Sequence, residues 1–341
     1  MRKTLLGFAV VLVVCVAAYL RFHHSKGPID VAYAGNREVT VWSTTAQVRE
    51  SLATLNYGDR LDVLDRSQDQ VQVRTAGGVT GWVSESDLLS SDLWQKTQDM
   101  ESRAKTLPVE ASGHTRAISN LHVEPGRDTP RIRQLNKAIP VDLFERRVVE
   151  LPVASNAAGG SGAASESAAE EKPAEAKKED WWFVRAHLAD NATVSGWVLG
   201  RFIDLDVPAP LPDYASAAGM HIVAWFELNR VADATGGTKS QYLLAGTRGG
   251  EGQACDFTLM RVYTWGKDRQ RYETAFVESD VCGKLPVTVT RAAGPNGDVT
   301  FTFEDSDDGT ARTRTYHMHQ TIVREVREPG SAPARRKHAN G

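Results

Sequence analysis

The sequence has few cysteines, no excess of basic charge and only one long apolar run. Its 341 residues include three cysteines, and Lys and Arg number 40 against 43 Asp and Glu, for a net charge of −3. A protein that binds nucleic acid needs a basic face to neutralise phosphates, so this balance predicts no nucleic-acid partner. A hydrophobic content of 41% is ordinary for folded material, and the length suits two or three domains.

Motifs for catalysis and phosphate binding are also missing. No Gly-x-Ser-x-Gly elbow lies between a predicted strand and helix, and no Gly-x-x-x-x-Gly-Lys loop occurs. His317 and His319 lie two apart on one predicted strand, but a metal ion requires further ligands, so we interpret them as a surface pair. The acidic run Glu304–Gly309 lacks the distal Glu of a calcium loop and is expected at a hairpin turn. The sequence therefore predicts no catalytic residues, no metal site and no cofactor.

The one long apolar run, Leu5–Leu20, follows Arg2-Lys3. Its 16 residues are slightly few for a membrane-spanning helix and slightly many for the apolar core of a signal peptide. The small-residue triplet Ala32-Tyr33-Ala34 lies too far beyond the run for ordinary cleavage, so residues 1–30 are interpreted as a retained signal anchor whose apolar run contacts the membrane. Cleavage of this segment and lipidation at Cys15 are the alternatives.

The other two cysteines, Cys255 and Cys282, lie in one predicted domain. In an exported protein such a pair favours a disulfide, and closing a loop of about 28 residues stabilises a fold by roughly 3 kcal/mol. Two buried free thiols are the alternative. The predicted disulfide favours a body outside the cytoplasm, in the periplasm or on the cell surface.

One short pattern occurs twice. Gly81-Trp82-Val83 returns as Gly196-Trp197-Val198, near the end of a run of short predicted strands. Two earlier segments match in the same register, with Val73-Arg74-Thr75 over Val184-Arg185-Ala186 and Leu61–Arg66 over Val141–Arg146. Short, closely spaced strands of this kind are typical of small barrels, so the repeat predicts two copies of one small β module.

The repeated segments resemble bacterial SH3 (SH3b) modules. Asn120–Gly126 is similar to the family's opening segment of the type Asn-Val-Arg-Ser-Gly-Pro, from which His122 and Glu124 depart, and both copies close with Gly-Trp-Val. The first copy departs at its start, where Val48–Ser51 stands in place of the fuller motif. The resemblance implies two small barrels that recognise peptidoglycan or another polymer or peptide of the cell envelope. Cell-wall hydrolases that contain such modules also have a Cys and His domain, and we find no candidate for one.

The predicted fold class is all-β, with two small SH3-like barrels, a C-terminal antiparallel β domain (a sandwich or an open barrel) and an N-terminal membrane helix. Alternating polar and apolar residues with Gly-rich turns predict the C-terminal strands. Residues 154–180 consist mostly of Ala, Gly, Ser, Glu and Lys, and this composition predicts a disordered insertion. The predicted segments are a signal anchor at 1–30, the first module at 31–92, a helical linker at 93–110, the second module at 111–208, the C-terminal domain at 219–328 and a disordered basic tail at 329–341.

The expected binding groove depends on tryptophan. Trp42, and whichever of Trp181 and Trp182 points outward, are the candidate ligand contacts, because neighbours on a strand face opposite ways. Trp82 and Trp197 are expected in the barrel cores. The sequence thus predicts a non-catalytic, envelope-anchored protein that binds peptidoglycan or an envelope peptide. The alternatives are an extracytoplasmic scaffold for protein partners and an enzyme hidden in residues 219–328.

Overall fold

The computed structural model describes residues 27–151, 177–189, 192–292, 297–306 and 310–326. The predicted membrane segment, residues 154–176 of the predicted insertion and the basic tail lie outside these ranges. No helix within them is long and apolar enough to cross a membrane. The chain divides into two compact units, residues 1–98 and 99–341.

The described chain is all-β, as the sequence predicts, and forms three antiparallel sheets of seven strands each. The first sheet belongs to the first unit and has the strand order β3-β2-β6-β5-β4-β1-β7. Its strands are β1 (Asp30–Ala34), β2 (Val39–Trp42), β3 (Ser51–Leu55), β4 (Arg60–Ser67), β5 (Gln70–Thr75), β6 (Thr80–Ser84) and β7 (Leu88–Ser90). Alternate residues face a core of small and branched side chains, among them Val41, Leu61, Val73 and Val83.

The second sheet belongs to the second unit and has the order β10-β9-β13-β12-β11-β8-β14. Its strands are β8 (Ala111–Thr115), β9 (Ser119–His122), β10 (Arg131–Leu135), β11 (Pro140–Glu150), β12 (Lys178–His187), β13 (Thr193–Leu199) and β14 (Ile203–Leu205). Lys178–Asp180 are paired with the end of β11, so the predicted disordered insertion is too long at its C-terminal end. At the end of this ladder Lys178 forms an ion pair with Glu150 at 2.8 Å.

The sequence repeat corresponds to a shared strand register. In the first sheet Val73 pairs with both Val63 and Gly81, and in the second Val184 pairs with both Leu143 and Gly196. The strand orders of the two sheets are also the same. The equivalent of β9 in the first sheet is β2, so Val48–Ser51, which the sequence suggested as the degenerate start of the first copy, follows that strand instead.

Helix α1 (Ser91–Ala104) follows the first sheet, close to the predicted linker helix. Its first half belongs to the first unit, where Trp94 stacks on Tyr33 with ring centroids 5.0 Å apart. Its second half belongs to the second unit, where Arg103 forms an ion pair with Glu145 at 2.6 Å. The helical spacing of Leu93, Trp94, Thr97 and Met100 predicts this helix. Thr97, Met100 and Ala104 are buried in it.

The third sheet is a meander whose strands pair in chain order, β15 to β21. They are β15 (His221–Ala232), β16 (Thr238–Thr247), β17 (Phe257–Gly266), β18 (Arg271–Arg291), β19 (Val299–Asp305), β20 (Arg312–His319) and β21 (Ile322–Val326). The alternating pattern predicts two strands, Arg271–Val277 and Pro286–Thr290, where β18 is continuous. This strand pairs with β17 along its first part and with β19 along its second. The pattern also predicts one strand over Arg312–Val326, where β20 and β21 form a hairpin that turns at Gln320, whose φ is 54°.

A second helix was not predicted. The sequence Pro208-Ala209-Pro210-Leu211-Pro212 predicts a stiff spacer, but helix α2 (Leu211–Ala217) begins inside it. Leu211 and Ala215 are buried with Leu244, Leu259 and Tyr263 on one face of the third sheet. The other face has its own core, which includes Phe257, Phe301 and Tyr316.

Candidate functional site

The outer face of the first sheet presents two tryptophans side by side. Trp42 on β2 pairs directly with Trp82 on β6, and residues opposite each other on antiparallel strands point to the same face. Both side chains are half-buried, whereas Val41 and Val83 face the core. Trp82 was expected in the core, and that expectation is wrong, because the alternation of β6 turns Gly81 and Val83 inward.

A cation lies over the ring of Trp42. The guanidinium carbon of Arg49 is 4.3 Å from the ring centroid of Trp42, within the range of a cation–π contact. Leu52 and Val48 nearby in the chain are 42% and 92% exposed. We call Trp42, Trp82 and Arg49 the tryptophan surface. It combines aromatic faces with a positive charge.

The same positions of the second sheet are covered. His122 replaces Trp42 and pairs with Trp197, which pairs in turn with Phe183. Trp197 and Phe183 are buried, and the guanidinium groups of Arg147 and Arg103 lie 5.1 Å and 5.0 Å from their rings. The two modules share one strand register but differ in this face. The aromatic side chains are half-buried in the first module and buried in the second.

Trp181 is 2% exposed and does not form an open groove. It lies on the same strand face as Phe183, and its ring packs edge-on against His122 with centroids 5.3 Å apart. The segment between β9 and β10 is tied down nearby, because Arg127 donates to the buried Glu179 carboxylate at 2.5 Å and 2.9 Å. These hydrogen bonds, with that of Arg201, hold the pKa of Glu179 below its usual value.

Trp182 is 7% exposed, so the expectation that one of the neighbouring tryptophans faces solvent is wrong. Trp182 points to the opposite face from Trp181 and lines a cavity of about 400 Å³ between the second and third sheets. Ile203 of the second sheet and Ile222 and Thr247 of the third line the same cavity. Both faces of β12 are covered because a further sheet packs where the sequence suggested solvent.

Arg146 is the main polar link between the second and third sheets. Its side chain is 4% exposed and forms ion pairs with Asp180 at 2.7 Å and Asp256 at 3.1 Å. It also donates to the carbonyl oxygens of Gln253 and Cys255. Asp180 in turn accepts a hydrogen bond from the backbone N–H of Gly252 at 2.9 Å. The loop that precedes β17 is thereby held against the second sheet.

Glu110 is a second, unusual link. It is 1% exposed and accepts a hydrogen bond at 3.1 Å from the backbone N–H of Val287 on β18. Its other carboxylate oxygen has no partner. Burial raises the pKa of Glu110 to about 7, despite the opposing hydrogen bond from Val287. A protonated carboxyl suits a site without a cation beside it.

The two cysteines form the predicted disulfide. Cys255 and Cys282 are bonded, with 27 residues of sequence separation, and join the loop before β17 to β18. Asp256, next to Cys255, accepts hydrogen bonds from Arg146 and from the backbone N–H of Leu285. The disulfide therefore lies at the edge of the contact between the second and third sheets.

The histidine pair is held by a carboxylate. His319 contacts Asp298 at 2.6 Å and His317 contacts the same carboxylate at 3.4 Å, and all three side chains are largely exposed. Across the described parts of the chain, no group of three or more His, Cys, Asp or Glu side chains is arranged to hold a metal ion. The acidic run Glu304–Gly309, which was expected at a hairpin turn, lies partly outside the described residues.

Sequence reasoning missed most of these positions. It predicted Trp42 as a ligand contact, and the structure places its half-buried side chain on the outer face of the sheet. It overlooked the partner Trp82, which alternation from Val83 could have placed outside. It missed Arg146 and Glu110 because nothing in a single sequence shows which charged residue becomes buried between two sheets.

Comparisons with known proteins add little to this description. No protein-family model matches the chain, and no curated protein matches it. Among solved structures, NlpC2 from Trichomonas vaginalis is 9% identical with a TM-score of 0.16, over 87% of this chain and 96% of that one. NlpC1 from the same organism is 11% identical with a TM-score of 0.16, over 85% and 92%. An NlpC/P60 family protein from Bacillus cereus is 12% identical with a TM-score of 0.21, over 88% and 95%. TM-scores this low support no conclusion about fold or function.

Proposed function

We propose that the protein is a non-catalytic binding protein of the cell envelope, and that it recognises peptidoglycan or another envelope polymer or peptide through the tryptophan surface of its first module. The observation behind this proposal is the half-buried pair Trp42 and Trp82, with Arg49 over the ring of Trp42. Aromatic faces beside a cation suit a ligand that combines apolar ring or methyl groups with carboxylates. The polymer's peptide stems and sugars offer both.

The finer architecture belongs to the same proposal. The first two sheets are SH3b-like barrels, which is supported by their common register and by pairing of β1 with both β4 and β7. The third sheet is an open barrel. In it Arg291 of β18 donates to the carbonyl of Leu228 on β15, and Gln241 of β16 donates to the carbonyl of Gln320 beyond β20. Residues 1–30 anchor this body to the membrane on its extracytoplasmic side.

Co-sedimentation of the full chain with purified peptidoglycan sacculi tests the binding proposal. We expect the protein to pellet with sacculi and not without them. Trp42→Ala and Arg49→Gln each weaken this binding by about tenfold, the scale of one lost aromatic or cation contact of roughly 1.4 kcal/mol. The matched control is Arg60→Gln, which removes an exposed arginine of the same sheet that forms an ion pair with Asp62.

Two results contradict the proposal. If no protein pellets with the sacculi, peptidoglycan is excluded as the ligand. The same test with other envelope polymers then decides whether the protein binds any of them. Equal binding by the wild type, Trp42→Ala and Arg49→Gln removes the tryptophan surface from the site.

A specific observation also favours the scaffold alternative. In the second module Trp181, Trp182 and Trp197 are all buried, and Arg146 fastens that module to the third sheet. The second module thus resembles a structural element more than a ligand groove. Under this alternative the protein pellets with no polymer, and cross-linking in the envelope recovers a protein partner that Trp42→Ala loses.

A further inference from the structure

The third sheet has a depression of its own on the side of helix α2. Its volume is about 280 Å³. It lies beside that helix and the hairpin between β17 and β18, and it is lined by Tyr214, Arg269, Arg271, Tyr272, Glu273 and Thr274. Ligand pockets for drug-sized molecules start at roughly 300 Å³. This depression therefore suits a group no larger than one or two sugar rings.

Two tyrosines form the aromatic part of the depression, and other rings support both. Tyr214 stacks on Tyr263 with ring centroids 6.0 Å apart and planes within 17°. Tyr272 packs against Trp265 at 5.2 Å and Tyr242 at 5.8 Å. These contacts fix the two rings in place, and burial raises the pKa of Tyr272 to about 12, so its phenol stays neutral. A preorganised ring costs little entropy when a ligand binds.

The charged residues that line the depression are two arginines and one glutamate, so the lining has one excess positive charge. Arg269 and Arg271 both approach the same oxygen of Glu273, at 3.1 Å and 3.8 Å. One carboxylate neutralises one guanidinium. The two arginines are 68% and 58% exposed, so their remaining donors face the solvent side. A guanidinium with free donors binds a second carboxylate in bidentate fashion.

Aromatic faces and an uncompensated guanidinium select one kind of small ligand. The C–H groups of a sugar are polarised by the oxygens on each carbon, and the negative face of an aromatic ring attracts them. We propose that this depression binds an acidic sugar, with the pyranose ring against Tyr214 and Tyr272 and the carboxylate on Arg269 and Arg271. The proposal is independent of the tryptophan surface, because it concerns a different sheet.

Two other ligand classes fit less well. A nucleic acid needs many cations, and this depression has one in excess while the chain has a net charge of −3. A neutral sugar would use the tyrosines and leave the arginines without a role. The carboxylate can be the C6 acid of a uronic acid or the lactyl acid of a muramic acid, and probes of both kinds separate these sources.

Calorimetric titration of the full chain tests the proposal. The probes are digalacturonate, N-acetylmuramic acid, the neutral sugar cellobiose and sodium acetate. We expect saturable binding of at least one acidic sugar and at least about tenfold weaker binding of cellobiose, since one charge-assisted contact is lost. Arg271→Gln weakens the binding of the acidic sugar by about tenfold. The control is Arg60→Gln, which replaces an arginine of similar exposure in the first sheet and leaves this affinity unchanged.

The aromatic contribution is tested with Tyr272→Leu, which retains an apolar side chain where Tyr272 packs. Unchanged thermal unfolding with at least a severalfold loss of acidic-sugar affinity supports the proposal. If this variant does not fold, Arg271→Gln decides alone.

The proposal is overturned if no acidic sugar binds, if Arg271→Gln binds as tightly as the wild type, or if acetate competes as strongly as the sugars. We expect Trp42→Ala to bind the acidic sugar as tightly as the wild type. A failure of this proposal can therefore be distinguished from a failure of sacculus binding.

Discussion

At the scale of single residues, the repeat is explained by close contact between strands. A Cβ atom added to Gly81 would lie 2.5 Å from the carbonyl oxygen of Trp42 and 2.6 Å from a methyl of Val41. Gly196 is in the same position in the second sheet, where a Cβ would lie 2.7 Å from Leu121 and 2.8 Å from the carbonyl of His122. No side chain fits at either place, which is why glycine precedes tryptophan in both copies.

We predict that Gly81→Ala destabilises the first module by about 1–3 kcal/mol, the usual cost of overpacking a core. The strands must separate by several tenths of an ångström because the contacting oxygen belongs to the backbone. Urea unfolding measured by tryptophan fluorescence provides the test. Gly77→Ala is the control, since its nearest neighbour is a side-chain oxygen 3.8 Å away; equal stability of both variants and the wild type contradicts the packing argument.

At the scale of elements, the contact between β11 and the loop before β17 depends on one arginine. Arg146 is bonded to two carboxylates and two carbonyl oxygens and is almost completely buried. An arginine in the first sheet, Arg66, also contacts two carboxylates, those of Asp30 and Glu85, but it is 43% exposed. The two residues have the same number of ionic partners and differ in burial.

Arg146→Ala is predicted to destabilise the second unit by about 3–5 kcal/mol, because it leaves Asp180 without its cation and Asp256 with only Lys284, at 3.7 Å. Arg66→Ala is predicted to cost about 1 kcal/mol or less, because its partners are returned to water. Denaturant unfolding of both variants gives the comparison. Similar losses in the two variants would show that burial of Arg146 does not strengthen its ion pairs.

At the scale of the whole molecule, the second unit unites the second and third sheets across a polar and partly apolar contact. One of its links responds to pH. Burial raises the pKa of Glu110, which accepts a hydrogen bond from Val287, to about 7. The folded state therefore holds a proton on Glu110 at pH values where an exposed glutamate has lost it.

This proton predicts the direction of a pH effect on stability. The pKa of Glu110 in the folded state is raised from 4.5 to about 7. The contribution of its protonated carboxyl to the free energy of unfolding is therefore fully present below pH 4.5 and is lost as the pH rises toward 7. The loss is on the order of 3 kcal/mol. Glu110→Gln resembles the protonated form, so its advantage over the wild type grows between about pH 4.5 and 7. Unfolding free energies of both proteins across this range test it, and a constant difference contradicts the assignment.

Several features could be predicted from the sequence because each depends on local pattern. Alternating apolar residues and Gly-rich turns predicted most strands, and helical spacing predicted the helix that includes Trp94. The disulfide between Cys255 and Cys282 was also predicted correctly. The continuous strand β18 and the hairpin at Gln320 were missed, because strand breaks depend on the neighbours that each half pairs with.

The sequence by itself determined the all-β class, the twofold repeat and the presence of an outward Trp42, since strand periodicity and close glycine contacts act over a few residues. The tertiary structure alone decided which equivalent surface stays open. Trp42 and Trp82 remain half-buried, whereas three tryptophans of the second sheet are buried. Trp181 packs against His122, Trp182 lines the cavity shared with the third sheet, and Trp197 lies beneath Arg147. Burial depends on segments distant in the chain packing together, and no local pattern of residues specifies that contact.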